Sequence, residues 1–380
     1  MAGVRTASRT VRRTCVRPAR TVVVAVLFAL LTGAAVHGPA SAQFKPDTHD
    51  VEVRPIDVSA SPISGFEKLA PARHRYGRLE WRGGLVLTSP AEEFGGWSGL
   101  ALEADGERFV AVSDAGVWMT GRIGYDGDRP AAITDARLGP LQALGGKTLK
   151  RHRDRDAEAV ALESGTLAKG TLLVSFEQNQ RIGRFDIDER GLSAPRGYLE
   201  MPPEMKRKRK GDGLEAMTVL RGGPSKGAVV AFAEHLLDAA GRHTGWMWVK
   251  SKPQPLALAD IGGYAITGAA SLADGSLLVL ERRFRWFDGV KMRLRLVGAA
   301  ELQPGAAITG ETLIDVGMGH EIDNMEGIAV HRGRRGETVV TLLSDDNFNG
   351  FLQRTLLLQF TLLPAELAGE RPAAGTAAPR

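Results

Sequence analysis

From about residue 65 to residue 363 the apolar residues fall in short runs separated by Gly- and Asp-rich turns, with little of the three- and four-residue spacing of an amphipathic helix. Three stretches repeat one plan: EAVALESGTLAKGTLLVSFE (Glu158 to Glu177), EAMTVLRGGPSKGAVVAFAE (Glu215 to Glu234) and EGIAVHRGRRGETVVTLLSD (Glu326 to Asp345). In each, an apolar strand, a Gly-containing turn and a second apolar strand are enclosed by two acids 19 residues apart. SGLALEADGERFVAVSD (Ser98 to Asp114) and GAASLADGSLLVLE (Gly268 to Glu281) keep the strands and the closing acid but lose the opening one. Taking Ser98, Glu158, Glu215, Gly268 and Glu326 as equivalent points, the intervals are 60, 57, 53 and 58 residues.

A unit of this length made of short strands suits one blade of a β-propeller, and radial repetition hides the edges that a linear array would expose. The expected fold is therefore all-β, a propeller of six blades, with five or seven left open. Five come from the repeats, and a sixth from GRLEWRGGLVLTS (Gly77 to Ser89) with TLLLQFTLL (Thr355 to Leu363), which closes the ring with the two ends of the chain. A pair of β-sandwiches is the alternative, but it gives no reason for the period. The propeller is expected over 65–363, after a lead-in of 43–64 and before a disordered tail of 364–380.

The first strand of a hairpin begins where the second ends, so acids 19 apart become cross-strand neighbours, at about 5 Å. If these strands line the axis, the acids gather on one face. Glu158, Glu215, Glu326 and Asp345 are the candidate catalytic carboxylates, and Asp114, Glu177, Glu234, Glu281 and Asp346 the candidate metal ligands. Carboxylates so close repel and raise one another's pKa unless a positive charge joins them. A hard cation such as Ca2+ suits an all-oxygen set. Arg181, Arg282 and Arg283, each close in sequence to one of the acids, offer ion pairs instead. A shared proton would make some of the acids general acids.

Other motifs are thinner. No G-x-S-x-G elbow surrounds Ser98, so a serine nucleophile has little support. His152, His235, His243, His320 and His331 lack the spacing of a zinc site. SDDNFNG, from Ser344, is oxygen-rich but is no EF-hand loop. KRHRDRD (Lys150 to Asp156) and KRKRKGD (Lys206 to Asp212) lead into the acidic positions. Such runs are commonly solvated surface. Beside a cation site, however, Lys206 and Arg207, with Arg181, Arg282 and Arg283, suit an anionic substrate.

Composition changes the picture once a leader is set aside. Six arginines and no acid precede the apolar run Thr21 to Val36, and Ala40-Ser41-Ala42 follows it, which reads as an export signal over 1–42. The Arg12-Arg13 pair leaves twin-arginine and Sec-type export both open. Without those six, the 49 Lys and Arg become 43 against 44 Asp and Glu, so global charge gives no case for nucleic-acid binding. Cys15, the single cysteine, leaves with the leader, so the mature chain has no disulfide or thiolate chemistry. A periplasmic or secreted protein with no permanent membrane anchor is expected.

DAEAVA, GLEAMT, VLERRF and NMEGIAV followed by LLSDDNF resemble the exported phytase-like family, the "esterase-like activity of phytase" proteins, over most of the mature chain. That resemblance implies a propeller with repeated acids and phosphoester hydrolase activity. Calcium-dependent propeller phytases share its architecture, so their catalytic residues do not transfer position by position. Hydrolysis of a small phosphorylated anion, assisted by Ca2+ or another hard divalent ion, is the expected function. A non-catalytic propeller that binds an anionic ligand or a partner protein, and a metal-assisted carboxylester or lactone hydrolase, are the alternatives.

Overall fold

A computed structural model describes Met1 and residues 45–48, 50–206 and 213–365. The expected leader apart from Met1, most of the expected tail and residues 207–212 lie outside the described residues.

Five antiparallel blades form the ring, not six. Blades I to IV follow the chain, each built outward from an innermost strand: Trp97–Leu102, Ala157–Gly165, Leu214–Val219 and Ala265–Ser271. Blade V begins with Asn324–Arg332 and Thr338–Asp345, continues with Thr355–Leu362, and is completed by the early strand Leu79–Thr88. The two terminal strands thus do not make a blade of their own. The last repeat contributes three strands and takes its fourth from the N-terminal side. Ser59–Ile63 adds an outer strand to blade V, and Arg54–Pro55 one to blade I, so the lead-in segment is woven into the rim.

Five apolar clusters fill the five seams between neighbouring blades. Phe66, Trp81 and Phe360 face Leu280 across the seam of blades IV and V, and Leu85 and Leu357 face Trp97 across V and I. Trp118 packs with Phe176 and Phe185 across I and II, Leu173 with Trp246 across II and III, and Phe232 with Val279 across III and IV. Full burial of such side chains contributes about 1.5–3 kcal/mol each.

The innermost strands lie against one another around the axis, which accounts for a feature of the repeats. After each leading polar residue stands a glycine or alanine: Gly99, Ala159, Ala216, Gly268 and Gly327. A Cβ on Gly268 would lie 2.5 Å from the Glu326 carbonyl oxygen, and one on Gly99 2.8 Å from the Val160 nitrogen. Only the smallest residues let five backbones come this close.

Candidate functional site

Each innermost strand shifts register against its partner at the same point. The shift leaves Ser98 unpaired between Trp97 and Gly99, Glu215 between Leu214 and Ala216, Thr267 between Ile266 and Gly268, and Glu326 between Met325 and Gly327. In blade II the break spans Glu158 and Ala159. An extra residue in one strand re-aims its side chain. Ser98, Glu158, Glu215, Thr267 and Glu326 are the buried polar residues of this ring. The fourth equivalent is therefore Thr267, not Gly268. At the ring the axis narrows to a void of about 10 Å3 lined by Ser98, Glu215, Thr267, Glu326 and apolar residues that include Met217 and Ile328.

Around the ring the second strands bring further acids. Asn324 lies opposite Asp345, and its Nδ2 donates to Glu326 Oε1 at 2.8 Å and to Asp345 Oδ2 at 3.2 Å. Asp156, Glu158 and Glu177 can each bring one carboxylate oxygen within 4.8 Å of the others. Among the described residues, two cations enter the group. Lys45 Nζ lies 2.8 Å from both Asp114 Oδ2 and Asp156 Oδ1. Arg282 lies 3.2 Å from Glu234 Oε1 and 4.0 Å from Glu326 Oε1.

These cations do not neutralise the whole cluster. Burial, then the charges of Asp156 and Glu326, push Glu158 well above the usual carboxylate range. Burial followed by Glu158 and Glu234 does the same to Glu215, and burial followed by Glu326 and Asp114 to Asp345. Burial raises Glu326 to about 7 against the pull of Arg282. Asp114 reaches about 6, burial outweighing Lys45. Burial also acts to raise Glu234, but the hydrogen bond from His235 and the charge of Arg282 hold it below its usual value. Burial and mutual repulsion thus shift Glu158, Glu215, Glu326, Asp345 and Asp114 toward their neutral forms while Glu234 is held toward its ionised one, and a bound cation would oppose the upward shifts.

The remaining expected residues sit elsewhere. Glu281 is fully buried in an ion pair with Arg295 at 2.5 Å and does not join the metal-ligand group. Arg283 turns to the carbonyl of Gly262 and to the ring of Tyr264, and Arg181 to backbone carbonyls and the ring of Phe176. Among the described residues neither makes an ion pair with the clustered acids; Arg283 follows Arg282, and neighbouring residues of a strand point to opposite faces. Asp346 ties loops together, accepting from the amides of Gly96 and Phe348 and from the Thr355 hydroxyl. The Lys206 side chain and Arg207 lie outside the described residues. Asp156, Asn324 and Lys45 belong to the site without having been expected there. Asp156 stands two places before Glu158 in the repeat, a signal that was legible; Lys45 is 111 residues from Asp156 and left none.

An all-oxygen set fits a hard cation. Asp114 Oδ1 and Asn324 Oδ1 are buried with no hydrogen-bond partner among the described residues, as oxygens reserved for a ligand would be. Two oxygens on one Ca2+ can be up to about 5 Å apart, and the grouping of Asp156, Glu158 and Glu177 falls within that span.

Residues 92–348 match the family model described as Phytase-like, esterase-like activity of phytase. The chain belongs to this family. No curated protein matches it. Among solved structures, hydrazine synthase of Kuenenia stuttgartiensis is similar over 66% of this chain and 56% of its own, at 10% identity and a TM-score of 0.34. This chain thus spans little more than half of that one, and a likeness so distant bears on neither activity nor ligand.

Proposed function

We propose that the acidic mouth of the propeller hydrolyses phosphoric esters of a small anionic substrate, with a hard divalent cation, Ca2+ first, held by Asp156, Glu158 and Glu177. The observation that carries this reading is the convergence of three glutamates, Glu158, Glu215 and Glu326, from equivalent interruptions of three strands onto one buried ring. A fold has no structural need for buried mutual repulsion, and perturbed carboxylates gathered in this way mark functional sites. The family's description, which names esterase-like activity, supports ester hydrolysis. When bound, a cation of this kind polarises a phosphoryl oxygen and acidifies a water. Arg282 and Lys45 are placed to receive anionic oxygens. Glu326, poised near neutrality, is suited to take a proton from an attacking water and to return one to the leaving oxygen. An export leader over 1–42, as the sequence reads, would put this chemistry outside the cytoplasm.

Generic phosphomonoesters, phosphodiesters and acyl esters, assayed after EDTA and again with added Ca2+, test the reading. Turnover of a phosphoester that Ca2+ restores, and a loss of at least about a hundredfold in Glu158→Gln and Glu215→Gln, are expected. Turnover confined to acyl esters points to the carboxylester hydrolase instead, the reading that the word esterase favours. Tight anion binding without turnover of any ester leaves a binding propeller.

A further inference from the structure

The exposed apolar side chains are not scattered. Met1 aside, the large apolar residues that are more than half exposed among the described residues are Leu69, Phe284, Trp286, Phe287, Met318, Phe351 and Leu352. All stand on the face that carries the acidic mouth, in the sector of blades IV and V. The hairpin of Leu277–Arg285 and Gly289–Val297 runs past the start of its innermost strand, since Ala265 pairs with Arg282, so Phe284, Trp286 and Phe287 project beyond the mouth. Phe351 and Leu352 occupy the loop that follows Asp345. Met318 lies in the loop leading to Asn324, and the Leu69 loop is bound to it by the Lys68 amide on the Gly319 carbonyl at 2.9 Å. Trp286 and Phe287 are 84% and 96% exposed, Phe351 93%. Soluble proteins seldom present so many large apolar groups together without a partner.

The charge around these tips is basic. Lys68, Arg285 and Lys291 make no ion pair among the described residues, whereas Glu67 is paired with Arg73 and Asp288 with Arg283. In sequence the hairpin alternates, Arg283-Phe284-Arg285-Trp286-Phe287. The carboxylates of the mouth are buried inward and the exposed Asp288 at the hairpin tip is paired with Arg283, so the exposed charges beside the tips that make no ion pair are cationic. Aromatic rings carried on separate projecting tips, with arginine and lysine beside them, match the interfacial zone of a bilayer, where rings enter the headgroup layer and cations meet lipid phosphates. A helical peptide would instead call for a groove between the tips.

We infer that this sector docks the propeller, mouth first, onto an anionic lipid surface. Six tryptophans make the test specific. Trp81, Trp97, Trp118, Trp246 and Trp248 are all buried, so a fluorescence change on docking reports Trp286. The purified protein is mixed, in EDTA and without any ester substrate, with vesicles rich in phosphatidylglycerol or with vesicles of phosphatidylcholine alone. It is expected to sediment with the former, with a blue shift in tryptophan emission, and to bind the latter at least about tenfold more weakly. Trp286→Ser with Phe287→Ser, both exposed, with an unchanged circular dichroism spectrum required as the check on folding, should lower binding to the anionic vesicles at least about tenfold, and Arg285→Gln with Lys291→Gln should reduce its salt sensitivity. Failure to sediment with either vesicle, or binding that the aromatic substitutions leave unchanged, overturns the inference. So does a concentration-dependent dimer that the same substitutions abolish, which would make a second copy of the chain the occupant. Because no turnover is read, docking stands or falls separately from hydrolysis.

Discussion

Lys45 and Arg282 divide the acidic mouth between them, yet burial still pushes Glu158, Glu215 and Asp345 well above the usual carboxylate range. Lys45 sits where a divalent ion would compete for Asp114 and Asp156. Lys45→Met is expected to cost the metal-free protein about 1–3 kcal/mol, since it strips a buried carboxylate pair of its partner, and to increase the rise in Tm produced by Ca2+. Equal calcium-induced shifts in both proteins would separate the lysine from the metal position. Glu326 gives a pH dependence of definite sign. Its folded pKa is raised to about 7 from an ordinary value of 4.5, so the stability it contributes is complete below pH 4.5 and is lost as pH rises through 7. Metal-free protein should therefore be less stable at alkaline pH. Glu326→Gln should reduce that fall by up to about 3 kcal/mol, and urea titrations at several pH values measure it. The acids were legible at this scale because the repeats write them at fixed spacing. Lys45 was not, because only the closed ring brings the lead-in segment to the mouth.

At the scale of the strand, one interruption and one small residue act together: the extra residue aims a polar side chain at the axis, and the glycine or alanine after it lets the neighbouring backbone approach. Gly268→Val should destabilise by about 1–3 kcal/mol or more through overpacking, because the obstacle is the Glu326 carbonyl and not a flexible side chain. Calorimetry checks this, and a neutral result would mean that the innermost strands can part. The hairpins were readable from periodicity, whereas the shift was not, since one residue's slip changes no composition. That is why Gly268 was taken for the equivalent of Glu326 when Thr267 holds the place. Glu281 shows the other limit. Its partner Arg295 lies on the neighbouring strand, where Glu281 faces Arg293 and Arg295 comes within reach on the diagonal. Sequence proximity favoured Arg282 and Arg283 instead.

For the whole molecule, the period identified a propeller but not its closure. Counting the terminal strands as a sixth blade is natural when nothing local marks a pairing between Leu79–Thr88 and Thr355–Leu362. A chain that begins at residue 90 should lose cooperative unfolding, and a circular permutant carrying residues 75–89 after residue 363 should recover it. A truncated chain with the Tm of the full one would show that the strand is dispensable. The closing contact also sets a timetable. The bond from Arg82 to the Thr361 hydroxyl spans 279 residues, so the first strand of the ring, with only Ser59–Ile63 and Arg75–Tyr76 beside it, must keep its inner edge open until nearly all of the chain has been made. Assembly is therefore slow and in need of protection from aggregation. Once it is complete, neither of the two joined strands is an end that can peel away, and a protease must await rare opening of the whole ring. The seam that delays birth should lengthen life.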